Sequence, residues 1–586
     1  MRTLLPLLLV AVGCRDKTTP GDSSDGGGDT GWTTFETGIW DPDSGDTQVE
    51  TGDSSGDSGD GGGDTGQVVV VPDPLVEGVA VYPADLVVNP TATWNLRAVG
   101  TWDDQRVADL SVVDGLLWSS DQPKVVSVDV DGVATALTAG VAILTGAVGE
   151  ISAAVQVEVK DDLVIRVTTI DAETGSVIPS VKARVDGGDQ TVGDEKGTIE
   201  LVVTDGGPIV LDVYSRDYVP VTIYGIVGRE VVVPLQSKAT FATSTVQVSG
   251  SVDFSGVRDA AWGENVVGLA VPSLQRGPLL TDPAILFSED RTVTVYGVDA
   301  NVPGNIFLED YDETYVVNPE PGLPALWFMA GPLETGDVTA GLSGTEDVIE
   351  LINANLSTWT WGWDPGVSVG VGEAASFDIA PSLSFDDVVR VDAPELSLGF
   401  SGDERPLVLV GEQVDGSGVV VTGMTLGTGT TDVNRAVDAV ATSTGTIAAA
   451  IGQVGGLGQG GAICATWAPV RDGAATLPAF LDVPNMASFD GPTKVFNWVV
   501  DPRAALVVAQ VEDPDGDLRL VYGASGDVTG ILTHPGYTFT YGHTTWVLAS
   551  FDLQHDTMEG RWRSGAFTQS AMVAVAVGSA TVTQKY

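Results

Sequence analysis

Cysteine, histidine and basic residues are scarce in this sequence. Its 586 residues include two cysteines and three histidines, and 27 lysines and arginines stand against 80 aspartates and glutamates, for a net charge of −53. The phosphate backbone of a nucleic acid repels such a chain, and no basic stripe offsets the repulsion, so nucleic acid is excluded as a partner. No histidine precedes His534, which excludes a zinc peptidase site before that position because such sites need two histidines.

The two cysteines, Cys14 and Cys464, restrict thiol chemistry. Cys464 lies in the apolar run Ala-Ile-Cys-Ala at 462–465, which predicts a small buried side chain. A nucleophilic role would need a nearby histidine, and all three histidines lie between positions 534 and 555.

Long hydrophobic runs suited to a membrane helix are also missing. The apolar run at 4–12 has nine residues, whereas a spanning helix needs about 20. Residues 439–470 carry no charge, but they contain six glycines between 452 and 461. Glycines in this number make a poor lipid-facing helix, so we predict buried strands and glycine turns there.

The beginning of the chain has the proportions of a signal peptide. Arg2 supplies a positive charge, the short apolar run follows, and residues 11–14 read Ala-Val-Gly-Cys. This end resembles the lipobox of bacterial lipoproteins, although that family usually has leucine at the position of Ala11. The resemblance implies cleavage before Cys14, a lipid on that cysteine and a membrane as partner. A lipid on Cys14 would leave no disulfide within the chain, so stability must then come from packing. Arg15, in place of the aspartate that retains lipoproteins at the inner membrane, favours the outer membrane.

Residues 15–66 form a low-complexity segment rich in aspartate, glycine and serine. Gly-Asp-Thr-Gly occurs at 28–31 and again at 63–66. Such a composition cannot bury enough apolar surface to fold, which predicts a disordered acidic linker that acts as a spacer. The alternative is a calcium-binding repeat. Calcium loops need a regular oxygen spacing that the drifting aspartates here do not keep.

Residues 67–160 combine short alternating strands with regular turns, which favours a β-sandwich. Four motifs follow in order: Trp-Ser-Ser at 118–120 before a proline, Val-Ser-Val-Asp at 126–129, Gly-Val-Ala-Thr-Ala-Leu at 132–137 and Gly-Val-Ala-Ile-Leu at 140–144. Together they closely resemble the bacterial immunoglobulin-like group 2 family. The resemblance implies a stalk or adhesion module of surface proteins, in which we expect Trp118 to pack between the sheets.

The sequence pattern of residues 161–238 predicts a second small β-sandwich. Gly175 precedes Ile-Pro at 178–179, Gly-Thr-Ile follows at 197–199, and Tyr-Val-Pro occupies 218–220. The pattern is similar to that of carboxypeptidase regulatory-like, or transthyretin-like, domains, except that Val181 stands one residue earlier than in that family. The resemblance implies a non-catalytic appendage.

Residues 239–586 resemble no family, and their alternating runs predict a β-rich region with one helix that begins at Thr345. The fold class is therefore mainly β. We expect tandem immunoglobulin-like β-sandwich domains and a large C-terminal β-rich region, after a disordered acidic linker. The predicted parts are 1–14 (signal peptide and lipobox), 15–66 (linker), 67–160 (bacterial immunoglobulin-like), 161–238 (carboxypeptidase regulatory-like) and 239–586 (β-rich).

Several motifs in the C-terminal region resemble catalytic or ligand-binding sites but have simpler explanations. Gly-Val-Ser-Val-Gly at 366–370 matches a nucleophile elbow around Ser368, and 456–461 matches a dinucleotide-binding glycine pattern, but glycine is abundant enough for chance matches. His534, His543 and His555, with Asp556, lack a recognised ligand spacing and indicate the polar ends of a hairpin. Residues 513–517 look like a calcium loop, but a hairpin turn explains them equally well.

Trp359, Trp361 and Trp363 fall on one face of a predicted strand. If exposed, the three indoles would form a platform for stacking sugar rings. If buried, which we favour, they are core. We predict a non-enzymatic bacterial surface lipoprotein without a metal or cofactor, whose modules present the distal region for adhesion or for a glycan or protein ligand. The alternatives are a carbohydrate-binding surface protein and a surface hydrolase in residues 239–586.

Overall fold

β-Strands form every named element in the described part of the chain, as the alternating sequence predicts. The structure is a computed structural model. It describes residues 76–583 except 103–106, 111–114, 173, 239–247, 253–265, 275–289, 296–297, 305, 309–313, 318, 320–324, 335–358, 365–377, 380–382, 397–404, 415–417, 437–442, 455–461, 491–494, 502, 513–517, 524–542, 554–556, 558–559, 561 and 564–571. The predicted linker and the predicted helix at Thr345 therefore lie outside the described residues.

Ten strands are present in the part of the first module that the structure describes. These are β1 (Val76–Tyr82), β2 (Leu86–Val88), β3 (Thr93–Asn95), β4 (Arg97–Trp102), β5 (Val107–Asp109), β6 (Leu116–Ser120), β7 (Val126–Val128), β8 (Val133–Ala136), β9 (Gly140–Val148) and β10 (Ile151–Val159). They form sheets in the orders β1-β4-β5, β2-β10-β9-β6 and β3-β8-β7. The sheets enclose one apolar core, so the predicted sandwich is confirmed.

Trp118 packs against this core, and two glycines make room for its indole. A Cβ on Gly146 would lie 2.9 Å from the ring atom Cζ3, and a Cβ on Gly132 would lie 2.8 Å from Nε1. Both distances are shorter than a carbon side chain tolerates. The glycine of the Gly-Val turn in the sequence motif therefore serves the packing of the tryptophan of the Trp-Ser-Ser motif.

Seven strands are present in the second module outside residue 173. These are β11 (Val164–Asp171), β12 (Lys182–Val185), β13 (Thr191–Val192), β14 (Thr198–Val202), β15 (Ile209–Tyr214), β16 (Val221–Ile226) and β17 (Glu230–Leu235). One sheet has the order β14-β11-β17, and β13-β12-β15-β16 form the other. This second sheet does not end at β16 but continues into the C-terminal region.

The described residues of the C-terminal region form 23 strands. These are β18 (Val248–Val252), β19 (Val266–Pro272), β20 (Asp290–Val295), β21 (Val298–Pro303), β22 (Ile306–Leu308), β23 (Thr314–Val317), β24 (Leu326–Pro332), β25 (Thr360–Asp364), β26 (Asp378–Ile379), β27 (Leu383–Ser384), β28 (Asp387–Ala393), β29 (Leu407–Val414), β30 (Gly418–Leu426), β31 (Gly429–Arg435), β32 (Ser443–Val454), β33 (Ala462–Pro469), β34 (Ala474–Thr476), β35 (Asn485–Asp490), β36 (Val495–Val499), β37 (Leu506–Glu512), β38 (Leu518–Gly523), β39 (His543–Leu553) and β40 (Met572–Thr583).

A 12-stranded sheet joins the second module to this region. Its order is β13-β12-β15-β16-β38-β37-β39-β40-β33-β32-β29-β30. β40 pairs with strands on both sides. Its first six residues, 572–577, are all apolar, a continuous run that predicts a buried strand. Strands β32 and β33 are neighbours and account for most of the uncharged stretch 439–470, which the sequence assigns to buried strands.

The remaining sheets of the C-terminal region have the orders β23-β18-β26, β22-β19-β24-β25-β27, β20-β21, β31-β28-β34 and β35-β36. One apolar cluster extends from Ile165 in the second module to Trp562 near the end of the chain. Sheet and core thus continue across the predicted boundary at residues 238 and 239, and the two parts share one interior.

Candidate functional site

The three tryptophans that could stack sugars lie beside or in β25, which pairs with β24 on one side and β27 on the other. Trp359 is 1% exposed and Trp361 is fully buried, while Trp363 is half-buried against the same core. Met329 stands opposite Trp361, and Trp327 stands opposite Trp363. The face that carries the indoles is therefore packed against the protein interior.

Gly331 on β24 decides the position of Trp359. A Cβ at Gly331 would lie 2.2 Å from Cδ1 of the indole, so only glycine leaves room for the ring. Nε1 of Trp359 then donates a hydrogen bond of 3.3 Å to the carbonyl of Pro332. With Trp359 and Trp361 enclosed, no platform of three indoles faces solvent. The sugar-stacking interpretation is corrected to the core interpretation.

Cys464 is a buried thiol on β33. It is fully buried, and burial raises the pKa of its thiol to about 12. The register of β40 places Ala576 opposite Cys464 and Thr583 opposite His543. Those two β40 residues are roughly 23 Å apart along the strand, so Cys464 and His543 cannot form a nucleophile–base pair.

The other residues singled out from the sequence lie outside the described part of the chain. They are Cys14, Ser368, the glycines of 456–461, residues 513–517, His534, His555 and Asp556. Among the described residues, no group of three or more histidine, cysteine or acidic side chains has the arrangement of a metal site. Within the same residues, no helix has the length and apolarity to cross a membrane.

The most highly organised polar features are instead the contacts between the modules. Arg229 lies between β16 and β17 and is 1% exposed. Its Nε donates a hydrogen bond of 2.5 Å to Oδ1 of Asn89 in the first module, and its backbone N–H donates one of 2.7 Å to the carbonyl of Val87. Nη2 of the same arginine donates to the carbonyls of Asp205 and Gly207, at 3.3 and 3.1 Å.

A close backbone contact completes this joint between the first two modules. A Cβ at Gly206 would lie 1.8 Å from the carbonyl oxygen of Pro90, so the two loops meet at a distance that only glycine allows. Asn89 is fully buried and also donates to the carbonyl of Lys160, and Val227 belongs to the apolar core of the first module. Buried hydrogen bonds of this kind hold one relative orientation of the modules.

A second joint connects the second module to the C-terminal region. β16 and β38 pair in parallel, with Val221 opposite Leu520 and Ile223 opposite Tyr522. Beside them Nη2 of Arg519 donates to Oδ1 of Asp212 at 2.9 Å and to the hydroxyl of Thr222 at 2.6 Å. Desolvation lowers the pKa of Arg519, and Asp212 is the largest of the opposing influences.

Asp212 also accepts from the second module itself. Nε of Arg184 donates to its Oδ2 at 2.8 Å, and the hydroxyl of Thr222 donates to its Oδ1 at 2.6 Å. Arg184, Asp212 and Arg519 have side chains that are 7, 1 and 1% exposed. One carboxylate thus lies between two buried guanidinium groups, one from each part of the chain.

Ion pairs at the margins connect all three parts. Arg97 of the first module donates to Oδ1 of Asp552 at 3.5 Å. Arg563 forms an ion pair with Glu230 of the second module, and Nζ of Lys160 lies 3.6 Å from Oε1 of the same glutamate. These pairs are partly exposed, and each therefore contributes little stability by itself.

Sequence reasoning did not identify Arg229, Asp212 or Arg519. The available signal is a charged residue at an inward position of an otherwise apolar strand, as in Val-Leu-Asp-Val at 210–213. A charge buried at such a position needs a partner. The signal does not show that the partner is Arg519, 307 residues later.

No protein-family model matches the chain, and a comparison with curated proteins finds no match. Solved structures that align with it include three from surface and adhesion proteins. They are domains 5–6 of the S-layer protein SbsC (11% identity, 44% of this chain and 91% of that one, TM-score 0.15), a streptococcal ancillary pilin (9%, 43% and 77%, TM-score 0.13), and a tetra-tandem repeat from the extending region of a large adhesion protein (11%, 71% and 99%, TM-score 0.12). TM-scores this low carry no argument about the fold, so the fold assignment rests on the sheets observed in this chain. The family resemblances of residues 67–160 and 161–238 stay predictions.

Proposed function

We propose that this chain is a non-enzymatic, lipid-anchored protein of the bacterial cell surface. In this proposal Cys14 carries the lipid, residues 15–66 space the folded part away from the membrane, and residues 76–583 present a distal surface for adhesion or ligand binding. The outer membrane is the proposed location.

The observation that carries the proposal is the pair of joints between the modules. The contact of Arg229 with Asn89 and the pairing of β16 with β38 hold the folded parts in one arrangement. Tandem sandwiches connected by flexible linkers would change direction freely. A fixed arrangement suits a protein that must hold its far end at a defined distance from a surface.

The chemistry of the described residues agrees with a presenting role. The one described cysteine is buried and its thiol has a raised pKa, so it is unsuited to nucleophilic attack. Trp359 and Trp361, the main candidates for a sugar platform, are core residues. Adhesion through surface shape therefore needs the fewest additional assumptions.

Metabolic labelling with a radioactive or alkyne-bearing fatty acid tests the anchor directly. We expect the chain to incorporate the label and the Cys14→Ser variant to incorporate none. Cys464→Ser is the matched control and should label like the unmodified chain, because Cys464 is buried. Equal labelling of the Cys14→Ser variant and the unmodified chain would refute the anchor.

Protease treatment of intact cells tests the presentation. A surface-exposed chain is cut within residues 15–66 and releases a large fragment, whereas an envelope-internal chain stays whole until the outer membrane is permeabilised. Chain that resists protease in intact cells and is cut only after permeabilisation would contradict surface display.

A further inference from the structure

The chain enters and leaves the first module on strands that run in the same direction. β2, near the start of the module, pairs in parallel with β10, its last strand, through three successive pairs that begin with Leu86 opposite Val157. Parallel neighbours have their N-terminal ends at one pole of the sheet and their C-terminal ends at the other. The beginning of β2 and the end of β10 therefore lie toward opposite poles of the module.

β1 extends this arrangement toward the start of the module. Val81, near the end of β1, packs over Gly146 of β9, since a Cβ on that glycine would lie 3.1 Å from Cγ2 of Val81. Gly146 is opposite Ala153 of β10, which precedes the residues that pair with β2. β1 and β2 thus advance along β10 in the same direction. β1 begins at the pole of the β9–β10 turn, and β10 ends at the opposite pole.

The contact between β2 and β10 is buried and is reinforced at its end. Four side chains of the paired segments are at most 2% exposed, namely those of Leu86, Val88, Val157 and Val159. The backbone N–H of Lys160 donates a hydrogen bond of 2.8 Å to the carbonyl of Val88, and Nδ2 of Asn89 donates to the carbonyl of Lys160. Hydrogen bonds in such an apolar setting are stronger than the same bonds in water.

The second module repeats the arrangement. Its first strand, β11, pairs in parallel with its last strand, β17, over six residue pairs that begin with Arg166 opposite Glu230 and end with Asp171 opposite Leu235. Residues 160–163 connect β10 to β11. Both modules thus hold the incoming and the outgoing strand side by side and in parallel, although antiparallel neighbours are roughly two- to three-fold more common in proteins.

We infer that the two modules bear tension along the chain. When the N-terminal end of one strand and the C-terminal end of its parallel neighbour are pulled apart, the strands slide past each other and all the hydrogen bonds between them are loaded together. Strands that are pulled apart from one pole lose these bonds one at a time. An anchor at Cys14 and a distal attachment apply the first kind of load, a condition that rests on the proposed function.

Single-molecule force spectroscopy of the full chain, produced without its lipid, tests the inference on the first module. Cys14 provides one thiol handle, and Asp161→Cys provides the second at an exposed position just after β10, while Cys464 is buried. Glu150→Cys is the matched control, because it places the second handle in the exposed β9–β10 turn, at the pole where β1 begins. We expect the Asp161→Cys chain to need at least twice the unfolding force of the Glu150→Cys chain.

The length gained identifies the event that is compared. Unfolding of the first module between Cys14 and the Asp161→Cys handle should extend the chain by roughly 250 Å. Forced unfolding reports the rate of unfolding, so the comparison holds for two chains of equal thermal stability. Equal unfolding forces in the two pulling geometries would overturn the inference. That result would leave the anchor untouched, because fatty-acid labelling of the Cys14→Ser variant tests the anchor separately.

A pair of variants at Lys160 tests the hydrogen bond at the end of the contact. Lys160→Pro removes the N–H that donates to Val88, whereas Lys160→Ala keeps that N–H and removes only the side chain. With the Asp161→Cys handle, Lys160→Pro should unfold at a lower force than Lys160→Ala. With the Glu150→Cys handle, the two variants should unfold at the same force. A loss of force of equal size in both geometries would show a general folding defect and would contradict the assigned role of this bond.

Discussion

Nη2 of Arg519 donates a hydrogen bond of 2.9 Å to Oδ1 of Asp212, which precedes it by 307 residues. Both side chains are 1% exposed, and Asp212 also accepts from Arg184. A charge that is this deeply buried is tolerated because its partner is held in place. The pair therefore makes the second module and the C-terminal region depend on each other.

Removing the charge of Asp212 should destabilise both parts together. Asp212→Asn leaves two buried guanidinium groups without their shared carboxylate, and breaking a buried pair costs about 3–5 kcal/mol in free energy of unfolding. Urea unfolding followed by fluorescence and by circular dichroism measures the loss. Asp432→Asn is the control: its ion pair with Arg390 is exposed and contributes less than about 1 kcal/mol. Similar losses in both variants would contradict this assignment.

A side chain at Gly206 should open the joint between the first two modules. Because a Cβ there would lie 1.8 Å from the carbonyl oxygen of Pro90, Gly206→Val must push the two loops apart. We expect faster proteolysis near residues 89–92 and a longer maximum dimension in small-angle X-ray scattering. Gly78→Ala is the control, since its Cβ would meet Thr101 at an ordinary 3.8 Å. An unchanged scattering profile for Gly206→Val would show that the joint does not depend on this contact.

Truncating Trp361 should affect stability first. Trp361→Ala removes a fully buried indole and leaves a cavity, which typically costs 3–5 kcal/mol. Trp363→Ala, at a half-buried position, should cost less. Thermal unfolding of the two variants gives the comparison. A Trp361→Ala protein that unfolds like the unmodified chain but has lost binding to a glycan would restore the sugar platform.

Asp501 should contribute stability that disappears in acid. Burial works to raise the pKa of its carboxyl, but hydrogen bonds from the side chain and backbone of Arg503 and from the backbone of Asp482 outweigh burial and lower it. The salt bridge measures 2.6 Å between Nη2 of Arg503 and Oδ2 of Asp501. A lowered pKa means that the folded protein favours the charged carboxylate.

The stabilisation by Asp501 is therefore complete above the usual aspartate pKa of about 3.9 and is lost as the pH falls through the lower value in the folded protein. Asp501→Asn should be less stable than the unmodified chain at neutral pH, and the two should converge at low pH. Denaturant unfolding between pH 7 and about pH 2 measures the difference. A difference in free energy of unfolding that grows toward low pH would contradict this prediction.

Cys464 should be unreactive until the chain unfolds. Burial and a pKa of about 12 keep it as an inaccessible thiol. In the Cys14→Ser chain, iodoacetamide at about pH 8 should modify Cys464 only after denaturant is added, which mass spectrometry detects. Rapid modification of the native chain would show that the strand β33 opens readily or that the thiol is accessible.

Local patterns in the sequence were good guides to individual strands. Alternation predicts a strand at 140–144, and the structure has β9 there, with Ala142 and Leu144 in the core. The continuous apolar run beginning at Met572 predicts a strand in the interior of a sheet, and β40 is one. The Trp-Ser-Ser and Gly-Val motifs anticipate the packing of Trp118, although not the role of Gly146 beneath its ring.

The functional assignments were harder to make from local patterns. Three tryptophans at alternate positions lie on one face in any strand, and the sequence does not say which layer covers that face. The answer depends on Gly331, which lies on another strand and leaves space for Trp359. The joints around Arg229 and Arg519 likewise depend on partners that no spacing rule connects.

The sequence by itself determined that the chain is mainly β. Composition and a period of two residues are local properties, which the sequence displays directly. Only the tertiary structure decided that β16 pairs with β38 and that the predicted second module is continuous with the C-terminal region. Backbone hydrogen bonds are the same for every pair of strands, so the choice of partner comes from side chains such as Asp212 and Arg519, which meet only when the whole chain has folded.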